Sequence, residues 1–139
     1  MRNTTTIFPK CLALAVSVIA AACGDEPTAP TPGIQPQITN NPDAFAYQIT
    51  NLSDVTGTYQ YTWQNTGTTA KVTHATNAGA TGTATVTLRD AAGTQVYTGP
   101  LATSGEPVSS PTGVAGAWTI SVAYTGYSNA QVNFAVLKQ

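Results

Sequence analysis

From Asp43 to the last residue the chain alternates with a period of two, and that spacing restricts it to strands, because only an extended backbone sends successive side chains to opposite faces. Phe45, Tyr47 and Ile49 alternate with Ala46 and Gln48, and Tyr59, Tyr61 and Trp63 with Gln60 and Thr62. Ala70, Val72 and His74 form a third run, and Ala84, Val86 and Leu88 a fourth set against Thr83, Thr85 and Thr87. Asp90-Ala91-Ala92-Gly93 has turn chemistry: an aspartate able to bond its own backbone and a glycine free to take positive φ. A short strand through Val96 and Tyr97 follows. The stretch 99–113 is rich in Gly, Pro, Ser and Thr and is expected to be a surface loop. Trp118, Ile120, Val122 and Tyr124, then Val132, Phe134 and Val136, predict two final strands linked by Tyr127-Ser128-Asn129. There is no helical periodicity and no room for crossover helices, so the expectation is an all-β, antiparallel β-sandwich or jelly roll of about seven strands.

Ahead of the alternating region the composition changes twice. In 1–22 two basic residues, Arg2 and Lys10, precede an apolar stretch from Cys11 to Ala22. Gly24-Asp25-Glu26 cuts this stretch well short of the roughly 20 residues a spanning helix needs. The order of charge, apolar run and small residues is that of a signal peptide, which implies export. Ala20-Ala21-Ala22-Cys23 resembles the lipobox of bacterial lipoproteins, with Ala20 where leucine is commonest. The resemblance implies that Cys23 is acylated and becomes the N-terminus, anchoring the protein to a membrane; Gly24 after the cysteine points to the outer membrane or cell surface. The same three alanines also satisfy the site of ordinary signal peptidase, which would leave a secreted protein. Residues 24–42 carry five prolines and are expected to be a disordered, proline- and threonine-rich linker reaching up to roughly 60 Å at about 3.1 Å per residue. The organisation read from the sequence is thus a signal peptide at 1–22, a lipidated cysteine and linker at 23–42, and a β-sandwich at 43–139.

With Cys11 in the signal and Cys23 taken by the lipid, the folded part has no cysteine for a disulfide, a nucleophile or a metal site. Three basic and six acidic residues follow Cys23, an acidic balance that excludes nucleic acid as a partner. The run from Val86 to Val136, with TVTLRDAAGTQVY, a long loop and GVAGAWTISVAYTGYSNAQVNFAV, loosely resembles the pre-peptidase C-terminal β-sandwiches appended to secreted bacterial enzymes. That resemblance implies an accessory or binding module; the clustered acidic residues with which some members bind calcium are not present.

His74, the only histidine, falls on the apolar face near a strand end, where a packed histidine with a satisfied hydrogen bond is the plainer reading and a general base the sharper one. Asp43, Asp54, Asp90 and Glu106 are scattered over loops and turns, suited to turn and cap duty. A hydrolase would have to gather Asp90, Glu106 and His74 in space. Tyr59, Tyr61 and Trp63 are the one arrangement that suggests a ligand site, since aromatic rings on one strand face stack against sugars; the same pattern describes an inward-facing core strand. The expected function is a non-catalytic binding or structural module of the cell envelope, taking a glycan or another envelope protein, without cofactor or metal.

Overall fold

The structure, a computed structural model, describes residues 34–101 and 105–139. Its strands are β1 (Gln37–Asn41), β2 (Ala44–Asn65), β3 (Ala70–His74), β4 (Thr81–Arg89), β5 (Gln95–Pro100), β6 (Gly105–Ser109) and β7 (Gly116–Lys138), and every pairing is antiparallel.

Two long strands organise the fold. β2 and β7 pair from Ala44↔Leu137 to Asn65↔Gly116, with register shifts between Leu52 and Gly57. At this bulge Asn51 and Asp54 on β2 (φ 57 and 49) and Gly126 on β7 (φ 52) take the left-handed conformation, which Asn, Asp and Gly tolerate best. The ribbon bends sharply there. On one side of the bend it is widened into a layer ordered β1-β2-β7-β3-β6; on the other, β4 pairs with β7 and β5 with β4. The two layers fold face to face: the amide of Asp43, just before β2, donates to the carbonyl of Gln64 near its far end at 2.8 Å. Between the layers the hydroxyls of Tyr47 and Tyr124 meet at 3.0 Å. The chain is therefore an antiparallel β-sandwich whose two central strands turn the corner from one layer to the other.

The alternation places the core. Phe45, Tyr47, Ile49, Trp63, Val72, Val86, Leu88, Trp118, Ile120, Val122, Tyr124, Val132, Phe134 and Val136 are all buried. Trp63 meets Trp118 edge-on at 5.9 Å between centroids, and Tyr47 stacks on Phe134 at 5.0 Å. The Asp90 turn forms as its residues require: Oδ1 accepts from the amides of Ala92 and Thr94, Gly93 has φ 81, and Oδ2 reaches across to the amide of Val114 at 2.9 Å.

Three boundaries differ from the expectation. Residues 45–49 and 59–63 are halves of one strand, as are 118–124 and 132–136, because the segments expected to link them bend without leaving the ladder. The stretch 99–113 contains β6, which pairs with β3. The linker expected to run to residue 42 yields its last residues to the sandwich: Ile34 is 3% exposed in the core, and β1 pairs with β2 from Gln37↔Gln48 to Asn41↔Ala44. Cys23, the signal segment and the first part of the linker lie outside the described residues.

Candidate functional site

Inward side chains of the five-stranded layer fill the core, so its outward ones are free to form a surface, and register aligns them in rows. Gln37, Gln48 and Asn133 stand opposite one another on β1, β2 and β7, and the row continues to Ala75, whose amide donates to the Asn133 carbonyl at 3.0 Å. The next row is Thr39, Ala46, Ala135 and Thr73, from β1, β2, β7 and β3. Together they line a groove of about 570 Å³, with Tyr47, Phe134 and His74 contributing from the core side. A groove of this volume falls within the usual range for a ligand site.

Its chemistry is uniform. No Asp, Glu, Lys or Arg lines it; its polar groups are amides, hydroxyls and the His74 imidazole, and its apolar ones the alanine methyls, Ile38 and Phe134. His74 adds no charge at neutral pH, since burial pushes its pKa below the ordinary histidine value. Its Nε2 lies 3.1 Å from the Tyr97 hydroxyl. Asn133 donates from Nδ2 to the Ala75 carbonyl at 3.2 Å, while its Oδ1 is buried without a partner among the described residues.

The aromatic row lies elsewhere. Tyr59, Tyr61 and Trp63 point inward. Trp63 is 0% exposed against Trp118, with its indole N–H unpartnered among the described residues, and Tyr59 is 9% exposed. Tyr61 is half-buried between Phe45 and Tyr47, at 5.7 and 5.9 Å between centroids. Tyr59 and Tyr61 line a smaller recess of about 300 Å³ with Ile34, Pro36 and Ile38. The three rings form no open stacking platform, because the face that carries them closes the sandwich.

His74, Asp90 and Glu106 are not joined by any hydrogen bond of the described residues. His74 is engaged by Tyr97. Asp90 gives both carboxylate oxygens to the amides of Val114, Thr94 and Ala92, which hold its carboxyl below the usual range. Glu106, exposed on β6, follows the residue paired with His74. Among the described residues no three His, Cys, Asp or Glu side chains gather into a metal site, and no helix is long and apolar enough to cross a membrane.

The groove residues read in sequence as an ordinary solvated strand face. The available signal was the alanines: Ala46 and Ala135 at outward strand positions where threonine or a larger side chain is favoured, and Ala75 just after β3.

No family model matches the chain, and no curated protein matches it. Among solved structures, the arabinose-bound α-L-arabinofuranosidase MgGH51 is similar over 78% of this chain at 13% identity and a TM-score of 0.39. The present chain spans only 22% of that enzyme's length. The module CsCBM6-3 from Clostridium stercorarium, in complex with cellobiose, is similar over 78% of this chain and 84% of its own at 17% identity and a TM-score of 0.34.

Proposed function

We propose that this chain is an exported, non-catalytic binding module, displayed on the cell envelope through a lipid on Cys23, and that its outer groove holds an uncharged, polyhydroxylated ligand, a glycan. The observation that carries this reading is the lining of the groove: amides and hydroxyls beside alanine methyls, Ile38 and Phe134, with no ionised side chain. Amides offer both donors and acceptors, matching sugar hydroxyls that do the same. A charged ligand would shed water without gaining a counter-ion, which is unfavourable. The Cys23 part rests on the signal-like segment and the lipobox resemblance.

The test is calorimetric titration of the purified protein with neutral and with acidic oligosaccharides. Neutral ones bind, and their affinity is nearly unchanged between low and high salt because no ion pair forms. Gln48→Ala and Asn133→Ala each weaken binding about three- to tenfold, the contribution of a neutral hydrogen bond. Binding of acidic oligosaccharides alone, or affinity that collapses with salt, would overturn the reading.

A further inference from the structure

Resting on that reading, the geometry of the groove points to a direction and a length: we infer that the ligand is an unbranched, uncharged glycan lying across the strands, perpendicular to them, with about three rings engaged.

The row formed by Thr39, Ala46, Ala135 and Thr73 has its smallest side chains in the middle. Along β7 larger groups flank Ala135 two residues away on both sides, while along β2 Ala46 has Gln48 on one side and Ala44 on the other. Gln48 and Asn133 stand on one side. On the other, Leu137 is 44% exposed and pairs in register with the exposed Lys71. A chain laid along either central strand would run into Gln48 or Asn133. Across the strands the row runs from Thr39 on the edge strand β1 to Thr73 on β3, two short side chains, beyond which β6 continues the layer. The depression therefore runs from β1 over β2 and β7 to β3.

Spacing then sets the length. Neighbouring strands lie about 4.8 Å apart, so the trough spans three gaps, about 14 Å. Gln37 and Gln48 present an amide each along one wall, and on β7 Asn133 continues it with its Nδ2, which also donates to the Ala75 carbonyl, its Oδ1 being buried. The strand spacing is close to the advance of one ring in an extended glycan, so successive rings meet successive amides. The rings over β2 and β7 rest an aliphatic face on Ala46 and Ala135, the ring over β1 on Thr39, and each turns its hydroxyl rim to the amide wall. Residues on Gln37's strand close the series at one end and Thr73 at the other.

The measurement is a titration series with unbranched neutral xylo- and cello-oligosaccharides of one to six rings. Affinity is expected to rise about three- to tenfold with each ring up to the third and to stay level beyond it. Gln37→Ala, at an exposed position, moves the plateau from three rings to two. Ala46→Leu, also exposed, fills the trough and abolishes binding at every length while the melting temperature stays unchanged. Equal affinity for one ring and four, a rise that continues beyond four, or a plateau that Gln37→Ala leaves in place would overturn the inference while the glycan reading stands. If none of these oligosaccharides binds, the glycan reading falls and takes this one with it.

Discussion

At the scale of single residues, the tyrosines show how burial fixes a protonation state. Tyr47 and Tyr124 lie between the layers with their hydroxyls 3.0 Å apart, and desolvation pushes both well above the ordinary tyrosine value; burial also raises Tyr61, Tyr97 and Tyr127. Ionising any of them would place a phenolate in a medium that solvates it poorly. The consequence for stability has a definite sign. Below the ordinary tyrosine pKa of about 10, folded and unfolded chains hold these protons alike and stability is at its full value. As pH rises above that value the unfolded chain releases them while the folded chain does not, so stability falls up through the raised native values. Denaturant midpoints are expected to drop steeply above pH about 10. Ultraviolet titration should then show the buried phenols ionising in one cooperative step that coincides with loss of the near-ultraviolet circular dichroism. These five tyrosines titrating together near the ordinary value of about 10 with that signal intact would contradict the packing.

At the scale of elements, the bend of the β2–β7 ribbon depends on close backbone approach at the edge where β4 joins it. Gly82 has φ 73, and a Cβ there would overlap the carbonyl oxygen of Gly126. Gly93 also has positive φ, at 81, but has nothing within 4 Å. Gly93→Ala is therefore the measure of backbone strain alone, about 1–3 kcal/mol. Gly82→Ala must add the displacement of β7's backbone and is expected to lower the urea midpoint distinctly further; equal losses would show that the contact does not constrain the bend. The same elements mark how far the sequence could be read. Strand interiors were legible because one face is wet and the other dry. The bend was not: Asn51, Ser53 and Asp54 are the residue types that also reverse a chain, and the pairings of Leu52 with Asn129 and of Val55 with Tyr127 keep them in the ladder. β1 and β6 were not legible because every residue in them is exposed, leaving no apolar stripe to count. For the site, the alternation marked Tyr59, Tyr61 and Trp63 as one face and the packing turned that face inward. The groove drew on outward residues of strands far apart in sequence, which only register brings together.

At the scale of the whole molecule, the membrane display proposed here needs an anchor, and the described surface offers little. Its exposed large apolar side chains, Ile38, Val108, Val114 and Leu137, sit on β1, β6, the segment before β7 and the end of β7. Isolated exposed apolar residues are ordinary on soluble folds and make no membrane-binding patch. Lys138 is held by Asp43 at 2.6 Å, and its ammonium also donates to Thr66, so part of the small basic complement is already engaged. An acidic chain gains nothing from the anionic lipids that attract polybasic segments. Attachment would then rest on acylation of Cys23. Each buried methylene contributes about 0.8 kcal/mol; one chain binds marginally and reversibly, whereas two or more anchor durably. Because the anchor and the sandwich share no contacts in this scheme, Cys23→Ser is expected to move the protein from the membrane to the soluble fraction without shifting its melting temperature or its affinity for glycans. The intact mass of the wild-type mature chain should exceed that of residues 23–139 by the mass of the acyl groups. An unmodified Cys23 at the mature N-terminus, or a wild-type protein found free in the medium, would make this a secreted module, with the groove unchanged and the tether without a membrane to hold.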